Sequence, residues 1–391
     1  MHRLFAATVP GLEPVLSKEL AGLGLTPQPL SLINISGEPR DDSGGIEFEA
    51  SLRDLYRANL HLRTASRILL RFGEFKAIGF TDLRKKAAAL PWELFLKPGQ
   101  PVALRVTCHK SRLYHSDAVA ERILSAIADR LKKPLTQEKF DENASNLPQL
   151  VIIRLVNDIC SVSIDTSGPL LHRRGYRLET AKAPLRETLA AGLILASGWD
   201  AVSPLIDPFC GSGTIPIEAA LISRRIAPGK NRSFAFMSWP NYDSTLWKKL
   251  ITDAASAELN TSAPIFASDR DEGAIRISQA NAGRAGVLEN IQATHLPFSA
   301  LEPLPAPGWI ITNPPYGVRV SPSKDLRDLY SQFGNVLFSK FSSWNIGLLS
   351  STEFYAGHTR LHFENVIPLI NGGIRVKFFL GKVPKISPDR K

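Results

Sequence analysis

Two short turns, each closing an apolar run, restrict this chain more than any other feature. The first is Asp207-Pro208-Phe209-Cys210-Gly211-Ser212-Gly213-Thr214. It follows residues 201–206, which read as a buried strand, and precedes residues 215–222, which read as a helix. Strand, small-residue turn and helix form the opening unit of a doubly wound nucleotide-binding sheet. No Gly-Lys-Ser/Thr is present, so the turn cannot grip a triphosphate as a P-loop does, and it is not G-x-G-x-x-G. Instead an acid ends the strand and two glycines follow. They admit a close-lying ligand or a positive φ. An acid there binds a cation or a hydroxyl. A ligand with a cationic amino-acid end and a ribose suits this turn better than a polyphosphate does, which points to S-adenosylmethionine.

The second turn is Asn313-Pro314-Pro315-Tyr316-Gly317, after the apolar residues Ile310-Ile311-Thr312. Two prolines fix φ and withdraw two N–H donors. The asparagine side chain and the Pro314 carbonyl are left at the strand end, where open α/β sheets bind their ligands. Two acceptors there suit an exocyclic amine, and Tyr316 offers a ring on which a base can stack.

Together these turns resemble the class I methyltransferases that modify amino nitrogens of nucleobases. The front half resembles the THUMP-domain RNA methyltransferases, and the bacterial 23S rRNA guanine-N2 enzymes (RlmL- and YpsC-like) in particular. The segments that carry this likeness are Thr8-Val-Pro-Gly-Leu-Glu13 with Lys18-Glu-Leu20, and Asp54-Leu-Tyr-Arg-Ala-Asn59 with Arg63-Thr-Ala-Ser-Arg67. His172-Arg-Arg-Gly-Tyr-Arg177 and Ala183-Pro-Leu-Arg-Glu-Thr-Leu189 also match. The resemblance implies a Rossmann-like class I methyltransferase domain, a mostly parallel seven-stranded sheet, over residues 186–391. It would be preceded by a small ferredoxin-like α+β unit (1–64), a THUMP RNA-binding domain (65–166) and a linker (167–185). In that family the helix starting near residue 185 covers the cofactor pocket, so Pro184, Arg186, Glu187 and Thr188 are expected to line it.

Composition agrees with a polyanionic partner. The formal net charge is +10 over 391 residues, and the excess divides evenly between residues 1–180 and 181–391. Basic residues cluster at Arg84, Lys85 and Lys86, at His109, Lys110 and Arg112, and at Arg130, Lys132 and Lys133. Each cluster suits either phosphate or a solvated face. Lys110 and Arg112, in a turn directly after a strand, are the favoured RNA contacts. Arg173, Arg174 and Arg177 on the linker suit RNA backbone or an interdomain contact. The three cysteines, Cys108, Cys160 and Cys210, show neither a disulfide framework nor metal-ligand spacing, so no metal is expected and a reducing cytoplasm is the expected compartment. Cys210 reads as a small buried filler, not a nucleophile. No apolar run reaches membrane-spanning length, and the start is too soon broken for a signal peptide.

Residues 265–269 read as the next strand, ending in Asp269, the expected ribose ligand. Asp271 is its alternative or a helix N-cap. Arg270 stands where such families place an apolar residue against adenine. No carboxylate follows the strand at 290–294, so His295 or backbone groups are left to recognise adenine. Residues 223–262 read as an insertion. Asn371-Gly372-Gly373 marks a terminal hairpin between strands at 365–368 and 374–380, and residues 382–391 read as a disordered tail. The function expected is methyl transfer from S-adenosylmethionine to an exocyclic base nitrogen, with guanine N2 of 23S rRNA first. The alternatives are a tRNA guanine-N2 enzyme, an N6-adenine methyltransferase and a non-catalytic RNA-binding or ribosome-assembly factor.

Overall fold

Apolar and polar residues alternate along Val102–His109, whereas Gln149–Val156 is apolar almost throughout. The first takes a sheet edge and the second an inner position, as those patterns demand. The computed structural model describes residues 1–27, 44–142, 144, 146–178, 185–316 and 323–385, which divide into two compact units. The first comprises Met1–Thr8, Leu16–Leu171 and Arg232–Thr252. Its strands are β1 (His2–Ala7), β2 (Gly45–Ala50), β3 (Arg67–Lys76), β4 (Val102–His109), β5 (Gln149–Val156) and β6 (Ile159–Asp165). They form one sheet in the order β2-β1-β3-β6-β5-β4, antiparallel throughout except for the pair β4 and β5. The strands of residues 1–64 and 65–166 thus lie side by side, Phe5 of β1 opposite Leu69 of β3.

Part of the stretch that reads as an insertion belongs to this first unit. The Phe236 ring stacks on Tyr56 with centroids 4.3 Å apart. The Tyr56 hydroxyl accepts from the Asp243 amide at 3.0 Å, and Trp239 Nε1 donates to Gln149 Oε1 at 2.9 Å. Phe236 is fully buried.

The second unit comprises Val9–Val15, His172–Asn231 and Asp253–Lys391. Its strands are β7 (Leu205–Asp207), β8 (Ile265–Asp269), β9 (Ile291–His295), β10 (Trp309–Thr312), β11 (Asn345–Ser350), β12 (Phe363–Asn371) and β13 (Ile374–Lys382). The order is β12-β13-β11-β10-β7-β8-β9. From β9 through β11 every pair of neighbours is parallel, and β13 runs antiparallel between β11 and β12. Successive residues feed opposite faces, as the strand period of two requires. Leu205, Ile311, Leu349 and Phe378 join a cluster with the helices Glu187–Ser197, Thr214–Ser223 and Glu272–Ala285. Ile206, Ile310, Leu348 and Phe379 join one with the helices Ser323–Lys340 and Glu353–His358. The chain leaves β7 toward β8 and β9, then returns to β10 on the other side of β7. Such a switch point opens a crevice beyond the strands' carboxyl ends.

Three expectations are corrected here. Residues 201–204 are not strand: Ala201 has φ 61°, and the Asp200 carboxylate accepts from the Val202 and Ser203 amides at 2.9 and 2.7 Å, holding a turn. The hairpin strands run well past 365–368 and 374–380, with Gly372 and Gly373 at φ 58° and 86° between them. The tail is ordered at its start, where the Val383 amide donates to the Trp344 carbonyl at 2.8 Å; residues 386–391 lie outside the described residues.

Candidate active site

Because β7 and β10 pair in parallel, Trp309 opposite Leu205, Asp207 and Asn313 emerge at the same end of neighbouring strands. The Asp207 carboxylate is 1% exposed. Its Oδ1 accepts from Thr312 Oγ1 at 2.7 Å and from the Phe209 amide at 3.2 Å. Burial pushes this carboxyl up to about 7, and the nearby Asp269 carboxylate adds to the rise, while the two hydrogen bonds oppose it. Asp269, at the end of β8, accepts from the Gly211 amide at 3.0 Å and so ties that strand to the turn.

The two glycines do different things. At Gly213, φ is 82°, and a Cβ would lie 2.2 Å from Ser278 Oγ on the helix Glu272–Ala285. That position needs glycine so the turn can sit against the helix. At Gly211, φ is 51° and a Cβ would meet no heavy atom within 4 Å. That backbone faces open space, which suits a ligand. Pro208, Phe209, Ser212 and Thr214 complete the turn. Phe209 packs edge-on against Phe333, and Ser212 and Thr214 are buried. Cys210 is buried, and burial pushes its thiol well above the ordinary range, so it is no thiolate nucleophile.

Asp271 caps the helix Glu272–Ala285, its Oδ1 accepting from the Gly273 amide at 2.8 Å. That occupies it as the N-cap and leaves Asp269 as the strand-end acid. Arg270 and His295 are exposed, and His295 Nε2 lies 3.0 Å from the Arg270 carbonyl.

Asn313 Oδ1 is buried and, among the described residues, has no hydrogen-bond partner. Pro314 is buried and Pro315 half-buried. The Tyr316 hydroxyl accepts from Asn371 Nδ2 at 2.9 Å, which orients the ring, and burial raises the phenol's pKa. Gly317 and Pro184 lie outside the described residues. Thr188 is buried and Arg186 exposed. Glu187 is pushed up to about 7 chiefly by burial, against the pull of Arg177 at 3.3 Å.

Of the linker arginines, Arg174 is buried and the Arg177 side chain is 10% exposed, which counts against the RNA-backbone alternative for these two. Arg174 is 5% exposed and its Nε lies 3.4 Å from Glu218 Oε1, which also accepts from the Tyr176 hydroxyl at 3.0 Å. Arg177 Nη2 donates to the Leu185 carbonyl at 2.6 Å and to Thr214 Oγ1 at 3.0 Å. These guanidinium groups brace the second unit from inside. Arg173, Lys110 and Arg112 are exposed. In the other basic clusters Arg84 pairs with Asp129 at 2.7 Å and Arg130 with Glu93 at 2.5 Å. Thr312 and Glu218 escaped the sequence reading, and Tyr176, quoted there within the linker motif, is buried. A single acid in the apolar helix Thr214–Ser223 was the available signal for a buried cation.

A seven-stranded sheet with β13 antiparallel, an acid–glycine turn after β7 and Asn-Pro-Pro-Tyr after β10 defines a class I methyltransferase. The RMKL-like methyltransferase domain model matches residues 174–373, the RlmL ferredoxin-like domain residues 3–69 and the THUMP domain residues 79–165. The chain belongs to the RMKL-like methyltransferase family. It is 33% identical to a protein of Synechocystis sp. provisionally named an RNA methyltransferase, across 95% of this chain and 94% of that one. It is equally 33% identical to ribosomal RNA large subunit methyltransferase K/L of Methylococcus capsulatus, across 100% of this chain and 52% of that protein, so it spans about half that relative's length. The crystal structure of SMU.472, provisionally named a methyltransferase and complexed with SAH, superposes with a TM-score of 0.86 at 29% identity, covering 99% of each chain. Among the described residues no cluster of three or more His, Cys, Asp or Glu could hold a metal ion, and no helix is long and apolar enough to cross a membrane.

Proposed function

We propose that this chain is an S-adenosylmethionine-dependent RNA methyltransferase that methylates an exocyclic base nitrogen, guanine N2 of 23S rRNA before any other. The observation that carries this reading is Asn313 Oδ1, buried and, among the described residues, without a donor, at the same strand ends as the buried carboxylate of Asp207. A buried acceptor left unpaired costs about 1–3 kcal/mol, and an exocyclic amine supplies the missing donor.

The residues present fit the methyl donor. Asp207 suits its cationic amino-acid end, the open backbone at Gly211 admits close approach, and Asp269 suits ribose hydroxyls. Thr188, with Pro208, Phe209, Cys210, Ser212, Gly213, Thr214 and Arg270, completes the pocket wall. When bound, S-adenosylmethionine supplies an electrophilic methyl group. Guanine N2 is a poor nucleophile because its lone pair spreads into the ring. Hydrogen bonds from that amine to Asn313 Oδ1 and the Pro314 carbonyl localise the lone pair and aim it. Pro315 stiffens the turn, and Tyr316, held by Asn371, stacks on the base. The rate then comes from positioning and fixed dipoles, with no general base. As the N2–methyl bond forms the methyl–sulfur bond breaks, SAH leaves, and the proton that N2 then sheds passes to solvent.

RNA as substrate is supported by the THUMP match, the +10 charge and the exposed Lys110, Arg112 and Arg173. The free Cys108, Cys160 and Cys210 suit a cytoplasmic setting. Tritiated S-adenosylmethionine offered with unmodified total rRNA, total tRNA and DNA tests the reading. Label recovered as N2-methylguanine from large-subunit rRNA is expected. Label confined to tRNA, or N6-methyladenine in DNA, overturns the target, and no label in any of them overturns the enzyme.

A further inference from the structure

A second recess lies near the carboxyl end of β11, the strand paired in parallel with β10. It is a shallow depression, open to solvent, whose lining includes Phe354, Gly357, His358 and Arg360. Phe354 is 58% exposed. A single exposed phenylalanine is ordinary, but this one has an organised surround. His358 Nδ1 donates to the Phe354 carbonyl at 2.7 Å, because a carbonyl can only accept, and the two rings meet at 62° with centroids 4.5 Å apart. Arg360 is held through its guanidinium by Asn335 Oδ1. Glu353, the one acid in the lining among the described residues, is paired with Lys377. At Gly357 a Cβ would meet no heavy atom within 4 Å, so the floor is open.

The recess connects to the Asn-Pro-Pro-Tyr turn through packed rings. The Tyr330 hydroxyl lies 3.5 Å from the Pro315 carbonyl, Tyr330 stacks on Tyr355 at 5.6 Å, and Tyr355 meets Phe354 at 5.6 Å. An exposed ring beside an arginine, with no free acid in the lining among the described residues, is the chemistry that holds a single-stranded nucleotide: the ring takes the base face and the cation the phosphate.

We propose that Phe354, His358 and Arg360 form a subsite for an unpaired nucleotide neighbouring the one that is methylated. This rests on the reading of the chain as an RNA methyltransferase. Phe354 stacks on the base, and Arg360 neutralises the phosphate that follows it. The substrate must therefore present the target in a single-stranded segment.

The test uses the full chain, a fluorescein-labelled twelve-nucleotide oligoadenylate, and the same oligonucleotide annealed into a duplex. Phe354→Ala should raise the single-strand Kd on the order of tenfold and leave the duplex Kd unchanged. Phe354→Trp should retain affinity and Phe354→Leu should lose it. Gly357→Leu, which fills the floor, should lose it too. Arg360→Ala should weaken binding and lower the salt dependence by about one phosphate. SAH affinity should stay at the wild-type value in every variant. Equal binding by wild type, Phe354→Ala and Gly357→Leu overturns the subsite, as does no binding by the wild type. Methyl transfer by the wild type to rRNA, measured alongside, separates the two readings. An active enzyme whose KM ignores Phe354 loses only the subsite, whereas Phe354-dependent binding without any methyl transfer loses only the enzymatic reading.

Discussion

Thr312 Oγ1 donates a 2.7 Å hydrogen bond to Asp207 Oδ1, and both residues are essentially out of solvent. The bond joins the last residue of β10 to the last residue of β7, so the turn proposed to face the methyl donor and the turn proposed to face the base share one buried link. A shift in either strand moves both.

Replacing Asn313 with Ala removes the acceptor proposed for the target amine and leaves the Asp207 turn intact. Turnover should fall about 10²- to 10³-fold, the range for losing one preorganised electrostatic partner. SAH affinity by calorimetry should stay within a factor of two or so, since nothing proposed to hold the cofactor's polar ends is removed. Unchanged methylation would remove Asn313 from the mechanism.

Asp207 gives a pH signature. Its carboxyl is raised from 3.8 to about 7 by burial, so the folded state holds the proton more tightly than the unfolded chain does. The stability this contributes is complete below pH about 4 and is lost as pH rises toward about 7. Relative to Asp207→Asn, the ligand-free wild type should therefore lose stability across that window. A cationic ligand end acts the other way and holds the carboxylate charged. SAH binding near pH 6, roughly midway, should release a proton, visible as a binding heat that changes with the buffer's ionisation enthalpy. A buffer-independent heat means that Asp207 does not meet the cation. Thr312→Val removes a bond that holds this carboxyl down and should widen the stability window while costing about 1–3 kcal/mol.

The two glycines should separate folding from binding. Gly213→Ala carries a positive-φ penalty and drives a methyl into Ser278, which together cost about 2 kcal/mol or more by chemical denaturation. Gly211→Ala meets open space and should cost only about 1 kcal/mol, with the larger effect on SAH affinity. Equal effects on both measurements would remove the proposed cradle at Gly211.

In the first unit, Phe236 is buried against Tyr56. Phe236→Ala should destabilise by about 3–5 kcal/mol in urea unfolding. Combined with Tyr56→Ala the loss should be less than additive, because each ring is the other's packing partner. Full additivity would show that the segment 232–252 is held by other contacts.

The strand-end turns were legible because their signals are local. An apolar run broken by Asp-Pro or Asn-Pro-Pro names its own end, and Gly-x-Gly names the backbone freedom beside it. The fate of the linker arginines was not legible. Arg174 and Arg177 look like any exposed basic pair until Glu218 and Thr214, far along the chain, are brought against them. Nor could spacing show that Arg232–Thr252 packs into the first unit, since its aromatic residues only declare a partner once Tyr56 is beside them.

The amino-acid order alone thus determined where strands stop and which side chains stand at those stops, because φ restriction, side-chain period and missing amide donors act within a few residues. Tertiary structure decided which of those stops are neighbours, which charges are buried and which carboxyls burial shifts upward. Those properties depend on solvent exclusion and on partners remote in the chain, which no local pattern encodes.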